Sequence, residues 1–344
     1  MRRLAFLALA LCAAPASAYV RSTTGVDADG SSHPDQGLCT WWNTRELHYV
    51  VNASVLDGTT SSGTPLSGCG SAGAASALVQ ASFPAWQQSC TDMRFVFDRD
   101  DSADTGLGYD ESGSNTNLVV WRQGSCSAFS DADCHVALKE MGPCIARHNC
   151  WAYGDSGILA LTHTTFRPST GEIVDADMEL HAWDGVDPNI TRGWWYTCAS
   201  PDPGITTCTR PYGQGDCIYI DVGNTVTHEA GHVLGLDHTC VTSYPEPYNQ
   251  CSAALVDGVM YPSAPFGETK KRALSDDDVS AVCTIYPAGR AVDRVTACPN
   301  SPSPEAGGCG CSTASPGALA PFGLLAVALG IWRRRSRQRT IAPA

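Results

Sequence analysis

Basic side chains are scarce in this chain. Against 35 Asp and Glu it carries only 22 Lys and Arg, for a formal net charge of −13. Seven of those 22 sit at the two ends, as Arg2, Arg3 and five arginines within 333–339. Residues 4–332 therefore hold 15 basic and 35 acidic side chains, a net of about −20. So acidic a surface repels a phosphate backbone, which excludes nucleic acid as a partner and leaves solvated faces or calcium sites as uses for the carboxylates. Internal repeats are also missing, which sets aside solenoids and arrays. CxxC pairs are absent among the fourteen cysteines scattered from Cys39 to Cys298. An even number so scattered reads as about seven disulfides formed in an oxidising compartment, not as zinc ribbons.

A length of 344 residues would allow two domains, but the ends are not domain material. Residues 1–18 join Arg2 and Arg3, an apolar run from Leu4 to Ala14 and the small-residue site Ala16-Ser17-Ala18. That is the pattern of a secretory signal peptide, and it places the mature start near Tyr19. Residues 19–37 form a short N-terminal segment. At the other end, 299–312 is a Ser-, Pro- and Gly-rich linker closing on Gly308-Cys309-Gly310-Cys311-Ser312. Residues 313–332 are apolar and number about 20, enough to span a bilayer. The basic tail 333–344 would then lie on the cytoplasmic side. One exported domain remains, at 38–298.

Its most informative stretch is 228–238, HEAGHVLGLDH. His228 and His232 are four apart, which on an α-helix stacks them about one turn from each other. Two imidazoles so placed can direct ring nitrogens at one cation. Glu229 sits beside that cation, where a carboxylate can take a proton from an attacking water. Gly235 tolerates φ > 0, so the helix can stop and the chain can turn to bring His238 round as a third ligand. Three protein ligands with one open position is the layout of a catalytic zinc site, whereas structural sites are closed by four. By chance HExxH is expected about 0.006 times in a chain of this composition, and the added Gly and His lower that to about one in 10⁵.

The stretch resembles the HExxHxxGxxH signature of the metzincin zinc proteases at every fixed position. The resemblance implies a turn carrying a methionine beneath the metal, and Gly258-Val259-Met260-Tyr261-Pro262 is similar to it. The order Met-Tyr-Pro and Thr239 after the third histidine resemble the matrixin branch. So does Leu274-Ser275-Asp276-Asp277-Asp278 with Ile285-Tyr286, which is similar to the matrixin C-terminal helix. No segment resembles the matrixin cysteine switch, and 19–37 is too short for a folded propeptide. The implied fold is α+β: a twisted mixed sheet with a covering helix, a zinc helix, a methionine turn and a C-terminal helix, all rich in disulfides. The implied protein is a monomeric zinc endopeptidase (Zn2+) acting on proteins or peptides, with an inactive adhesion or display domain as the alternative. The tail resembles the sorting signal of myxobacterial surface proteins. That implies processing near Cys309 or Cys311, and a mature protein either at the cell surface or released.

Along the domain, Glu46–Val51, Met93–Phe97, Asn117–Trp121, Gly157–Phe166 and Ile173–Glu179 read as strands, and Ala74–Gln88 as a helix on the sheet. Residues 58–73 read as a loop, and 124–154 and 184–220 as Cys-rich insertions. The strand Gly157–Phe166 matches the matrixin edge strand that carries substrate by β-addition. Asp175, Asp177 and Glu179 share one strand face, either a polar outer face or a help in binding structural calcium (Ca2+). His163 and His181 read as ordinary polar side chains. Asp221 is placed to cap the helix holding His228.

Overall fold

The structure is a computed structural model and describes residues 19–25, 37–58, 67–113, 115–153, 158–182, 194–198, 208–209, 216–240, 251–253, 255–265, 267–295 and 298. The expected signal peptide, linker, apolar segment and basic tail lie outside the described residues. Among the described residues no helix is long and apolar enough to cross a membrane.

The chain is α+β and disulfide-rich. Strands β1 (Val20–Arg21), β2 (Trp41–Trp42) and β3 (Glu46–Asn52) precede helix α1 (Ala72–Ser82). Strands β4 (Arg94–Asp100) and β5 (Asn117–Gln123), helix α2 (Gly142–His148), and strands β6 (Ala160–Phe166) and β7 (Glu172–Ala182) follow. Then come β8 (Trp194–Thr197), β9 (Cys208–Thr209), β10 (Asp216–Asp221), α3 (Val222–Val233), β11 (Leu236–Asp237) and α4 (Asp276–Ile285). The central sheet runs β2-β7-β5-β3-β4 with every pairing parallel, and β6 adds antiparallel to the far side of β7. Helices α1 and α3 cover one face, and the main core forms between them and the sheet.

The expected helix over 74–88 ends sooner. It runs as α-helix to Ser82 and then tightens to a 3-10 turn over Phe83–Trp86. Pro84 explains the change, because it has no N–H to donate to the preceding turn. The turn buries Phe83 and Trp86 in the core. The expected strand 157–166 begins at Ala160.

Strand β7 corrects a larger expectation. Alternation sends Ala176, Met178 and Leu180 into the main core and Asp175, Asp177 and Glu179 to the opposite face. That face is not solvated: the three acidic side chains are 1%, 1% and 0% exposed. Residues from 105–108 and the 124–154 insertion reach over it. Arg122 donates to Glu179 Oε2 (2.5 Å) and to the carbonyl of Thr105 (2.9 Å), while Tyr153 donates to Glu179 Oε1 (3.2 Å). Burial pushes the Glu179 carboxyl up, but Arg122 and His163 overcome it and hold the pKa down at about 2. Asp177 accepts from the backbone N–H of Gly108 (2.6 Å) and Leu118 (3.0 Å). Glu179 is thus committed to Arg122, and a calcium expectation on this face narrows to Asp175 and Asp177.

Burial raises both of those carboxyls, Asp175 to about 6. With the folded pKa raised, the stabilising contribution is present below the ordinary value and is lost as pH rises through about 6. Asp175→Asn should therefore raise the melting temperature at pH 8 in calcium-free buffer and change it little at pH 4. Each kcal/mol relieved is worth about 2–4 °C in a domain of this size. Thermal scans at the two pH values decide the matter, and a lower melting temperature at pH 8 would contradict it.

Six disulfides are described: Cys39–Cys298, Cys69–Cys198, Cys90–Cys283, Cys126–Cys150, Cys134–Cys144 and Cys240–Cys251. Cys208 and Cys217 are Cα partners across β9 and β10. Such a set is compatible with an exported protein. Two bridges staple the 124–154 insertion, and two join distant parts of the chain across 259 and 193 residues.

Candidate metal centre

Helix α3 starts where Asp221 accepts a hydrogen bond from Asn224 N–H (2.6 Å), as an N-cap residue does. Arg272 holds the same carboxylate through two nitrogens. The helix is braced along its length by indoles: Trp86 Nε1 donates to Thr227 O (2.8 Å) and Trp42 Nε1 to Val233 O (2.7 Å). It ends at Gly235, whose φ of +85° is the left-handed value a side chain disfavours. A Cβ there would also meet the carbonyl oxygen of Thr40 at 3.0 Å. The turn leads through β11 to His238.

The three histidines converge. Their ring centroids lie 5.0 Å (His228–His232), 5.2 Å (His228–His238) and 4.9 Å (His232–His238) apart. One nitrogen from each lies within 4.8 Å of the others. His228 Nδ1 donates to Val259 O (2.5 Å) and His232 Nδ1 to Leu236 O (2.8 Å). With Nδ1 so engaged, Nε2 is the ring nitrogen left to face a cation. His232 Nε2 is buried with no protein partner. The Nε2 atoms of His228 and His238 stand 3.2 Å apart. Burial holds the pKa values of His228 and His238 well below the ordinary range, with Lys271 and the neighbouring histidines adding to the shift. Three imidazole nitrogens so gathered, one of them buried without a protein partner, form a donor set suited to a divalent cation.

Among the described residues two other groups could hold a metal by distance alone, Cys126/Cys144/Cys150 and Cys134/Cys144/His148. Their cysteines are already in disulfides, which removes the thiolates a metal needs. His163 and His181 lie elsewhere. His163 Nε2 meets Glu179 Oε1 (2.8 Å) and the Tyr153 hydroxyl (2.9 Å), and His181 stacks on Trp151.

Glu229 is 4% exposed beside the histidines. Burial pushes its carboxyl up, opposed by His232, by a hydrogen bond from Thr162 and by Lys271. Met260 is buried beneath α3, against Gly231. A Cβ on Gly231 would lie 2.2 Å from Met260 Sδ and 2.9 Å from Trp86 Cζ2. Gly231→Ala should therefore cost about 1–3 kcal/mol by overpacking. Denaturant unfolding measures it, and an unchanged midpoint would show that Met260 can move aside.

Sequence reasoning missed three supports. Asp278 closes a capping box on α4 with Ser275 and also accepts from Val259 N–H (2.9 Å). Val259 O in turn orients His228, so the α4 cap reaches the site through one residue. Lys271 is 3% exposed and donates from Nζ to the carbonyls of Tyr261 (2.5 Å) and Ser263 (3.2 Å). Burial brings its pKa down to about 8, against the pull of Glu268 and Glu229. Thr162 is the third. The Ser-x-x-Asp of the cap was a visible signal, whereas a single Lys or Thr has none.

In sequence comparisons, no known protein family and no curated protein matches this chain.

Proposed function

We propose that the site belongs to a zinc-dependent hydrolase. More narrowly, the chain is read as an endopeptidase of the metzincin kind, matrixin-like, exported and either anchored at the cell surface or released. The observation that carries this is the convergence of His228, His232 and His238, each within reach of one point, with His232 Nε2 buried and unpartnered. Those three residues would hold the ion. Zinc bound there supplies a Lewis acid that polarises a carbonyl and acidifies water.

The chain's own residues do the rest. Glu229 takes the proton of the attacking water at its carboxylate and passes it to the leaving amine. Met260 and Gly231 pack beneath the histidines and do no chemistry. Beyond β6 no further strand pairs with its open edge among the described residues. That edge offers main-chain donors and acceptors to an extended peptide. Nothing in the ligand set favours an inactive display domain, since the three ring nitrogens and the carboxylate are all present. The deciding experiment is to purify the oxidised protein, measure bound zinc, and incubate it with casein. About one zinc per chain with cleavage supports the reading, and zinc without cleavage sinks it.

A further inference from the structure

Beyond the histidines and Glu229, the structure assigns Thr162 as a positioning residue that ties the general base to the substrate-bearing edge strand, an inference resting on the endopeptidase reading. Thr162 lies on β6 and is 9% exposed. Its Oγ1 stands 2.8 Å from Glu229 Oε2 and 3.3 Å from the Glu229 backbone carbonyl. A hydroxyl has one proton to give, and the nearer acceptor, the carboxylate oxygen, takes it. Among the described residues no other side chain donates to the Glu229 carboxylate. A glutamate has three side-chain torsions. The bond from Thr162 fixes one oxygen and so leaves Oε1 as the oxygen free to meet a water.

Strand alternation makes the tie rigid. Thr162 points toward α3, so its neighbour His163 points to the opposite face, where Glu179 and Tyr153 hold it. Strand β6 is therefore pinned on both faces at successive residues, to α3 through Glu229 and to β7 through Glu179. A peptide added along the open edge of β6 would lie on the same strand that aims the base. The distance from scissile bond to carboxylate is then set by one short strand and one hydrogen bond, which is how effective molarity is built into a site.

Three variants test this: Thr162→Val, which keeps the shape and removes the hydroxyl, Thr162→Ser, which keeps the hydroxyl, and Thr162→Ala as a smaller replacement should Val not fold. The Val or Ala variant should lose about tenfold or more in kcat with KM within about twofold, because main-chain pairing is untouched. The Ser variant should return to within about threefold of wild type. A loss in KM alone, a kcat within twofold of wild type for Val, or a failure of Ser to restore would each overturn the assignment. A second readout needs no activity. In metal-stripped protein, Thr162→Val should lower the melting temperature when Glu229 is present and have no such effect in a Glu229→Ala background. Additive shifts would show that the two side chains do not interact. If wild type binds zinc yet cleaves nothing, the endopeptidase reading fails, and the melting cycle still decides the Thr162–Glu229 contact.

Discussion

Replacing Glu229 by glutamine should lower peptide hydrolysis by a factor of about 10²–10⁴ while leaving the fold and the zinc content near normal. Gln keeps the length and an acceptor oxygen for Thr162, so the packing of the buried side chain is preserved. It cannot accept the proton of water. The variant separates base from scaffold, because the rings of His228 and His232 are held by the carbonyls of Val259 and Leu236, and the His238 N–H donates to the Asp237 carboxylate, none of them through Glu229. Steady-state cleavage of a fluorogenic peptide, beside a zinc assay on the same preparation, is the measurement. Activity within about tenfold of wild type would remove Glu229 from its assigned role.

Stripping the metal should be more severe still. Incubation with 1,10-phenanthroline should take turnover to background, and stoichiometric zinc should restore it. His238→Ala should weaken zinc retention by more than the roughly 10–100-fold typical of losing a residue that merely orients a ligand. His163→Ala should weaken it less than that, since His163 bonds to Glu179 and Tyr153 on the far face of the sheet. Zinc titration by calorimetry compares the two. Equal losses would mean that the ligand set is wrong. The stripped protein should also melt lower than the loaded one, because an ion bound only by the folded state at 100 times its Kd adds about 2.7 kcal/mol.

Much of the framework can be read from residues close together in sequence. The strands at 46–51, 93–97, 117–121 and 173–179 have local composition signals and lie where expected, within a few residues. The cap Asp221, the stop at Gly235 and the cap Ser275 follow from rules that act over a single turn of helix. The histidine trio is legible for the same reason, since eleven consecutive residues contain it. What escaped depends on contacts made at a distance. The burial of Asp175, Asp177 and Glu179 is set by Arg122 and by the loop at 105–108, and alternation alone gives a face without saying what covers it. Thr162 lies 67 residues from Glu229 and has no neighbours that mark it. The segment after Tyr19 looked like a short lead-in, because a two-residue strand has no periodicity to detect. Disulfide partners were out of reach for the same reason.

That lead-in segment has a consequence for how long the site survives. Val20 and Arg21 pair antiparallel with Asp237 and Leu236, the two residues just ahead of His238. Arg21 is wholly buried, donating to the carbonyls of Asp293 (2.9 Å) and Thr40 (3.0 Å). Strand β11 has no other strand partner among the described residues. The arm that presents the third imidazole is therefore latched by the first residues of the folded body. In hydrogen exchange the amides of 20–22 and 236–237 should open together as one cooperative unit, separate from the sheet. Each opening loosens one histidine of three, so the escape rate of the ion should follow the fraying of that latch. A peptidase that trims past Ser22 would then disarm the protein without touching a single residue of its centre.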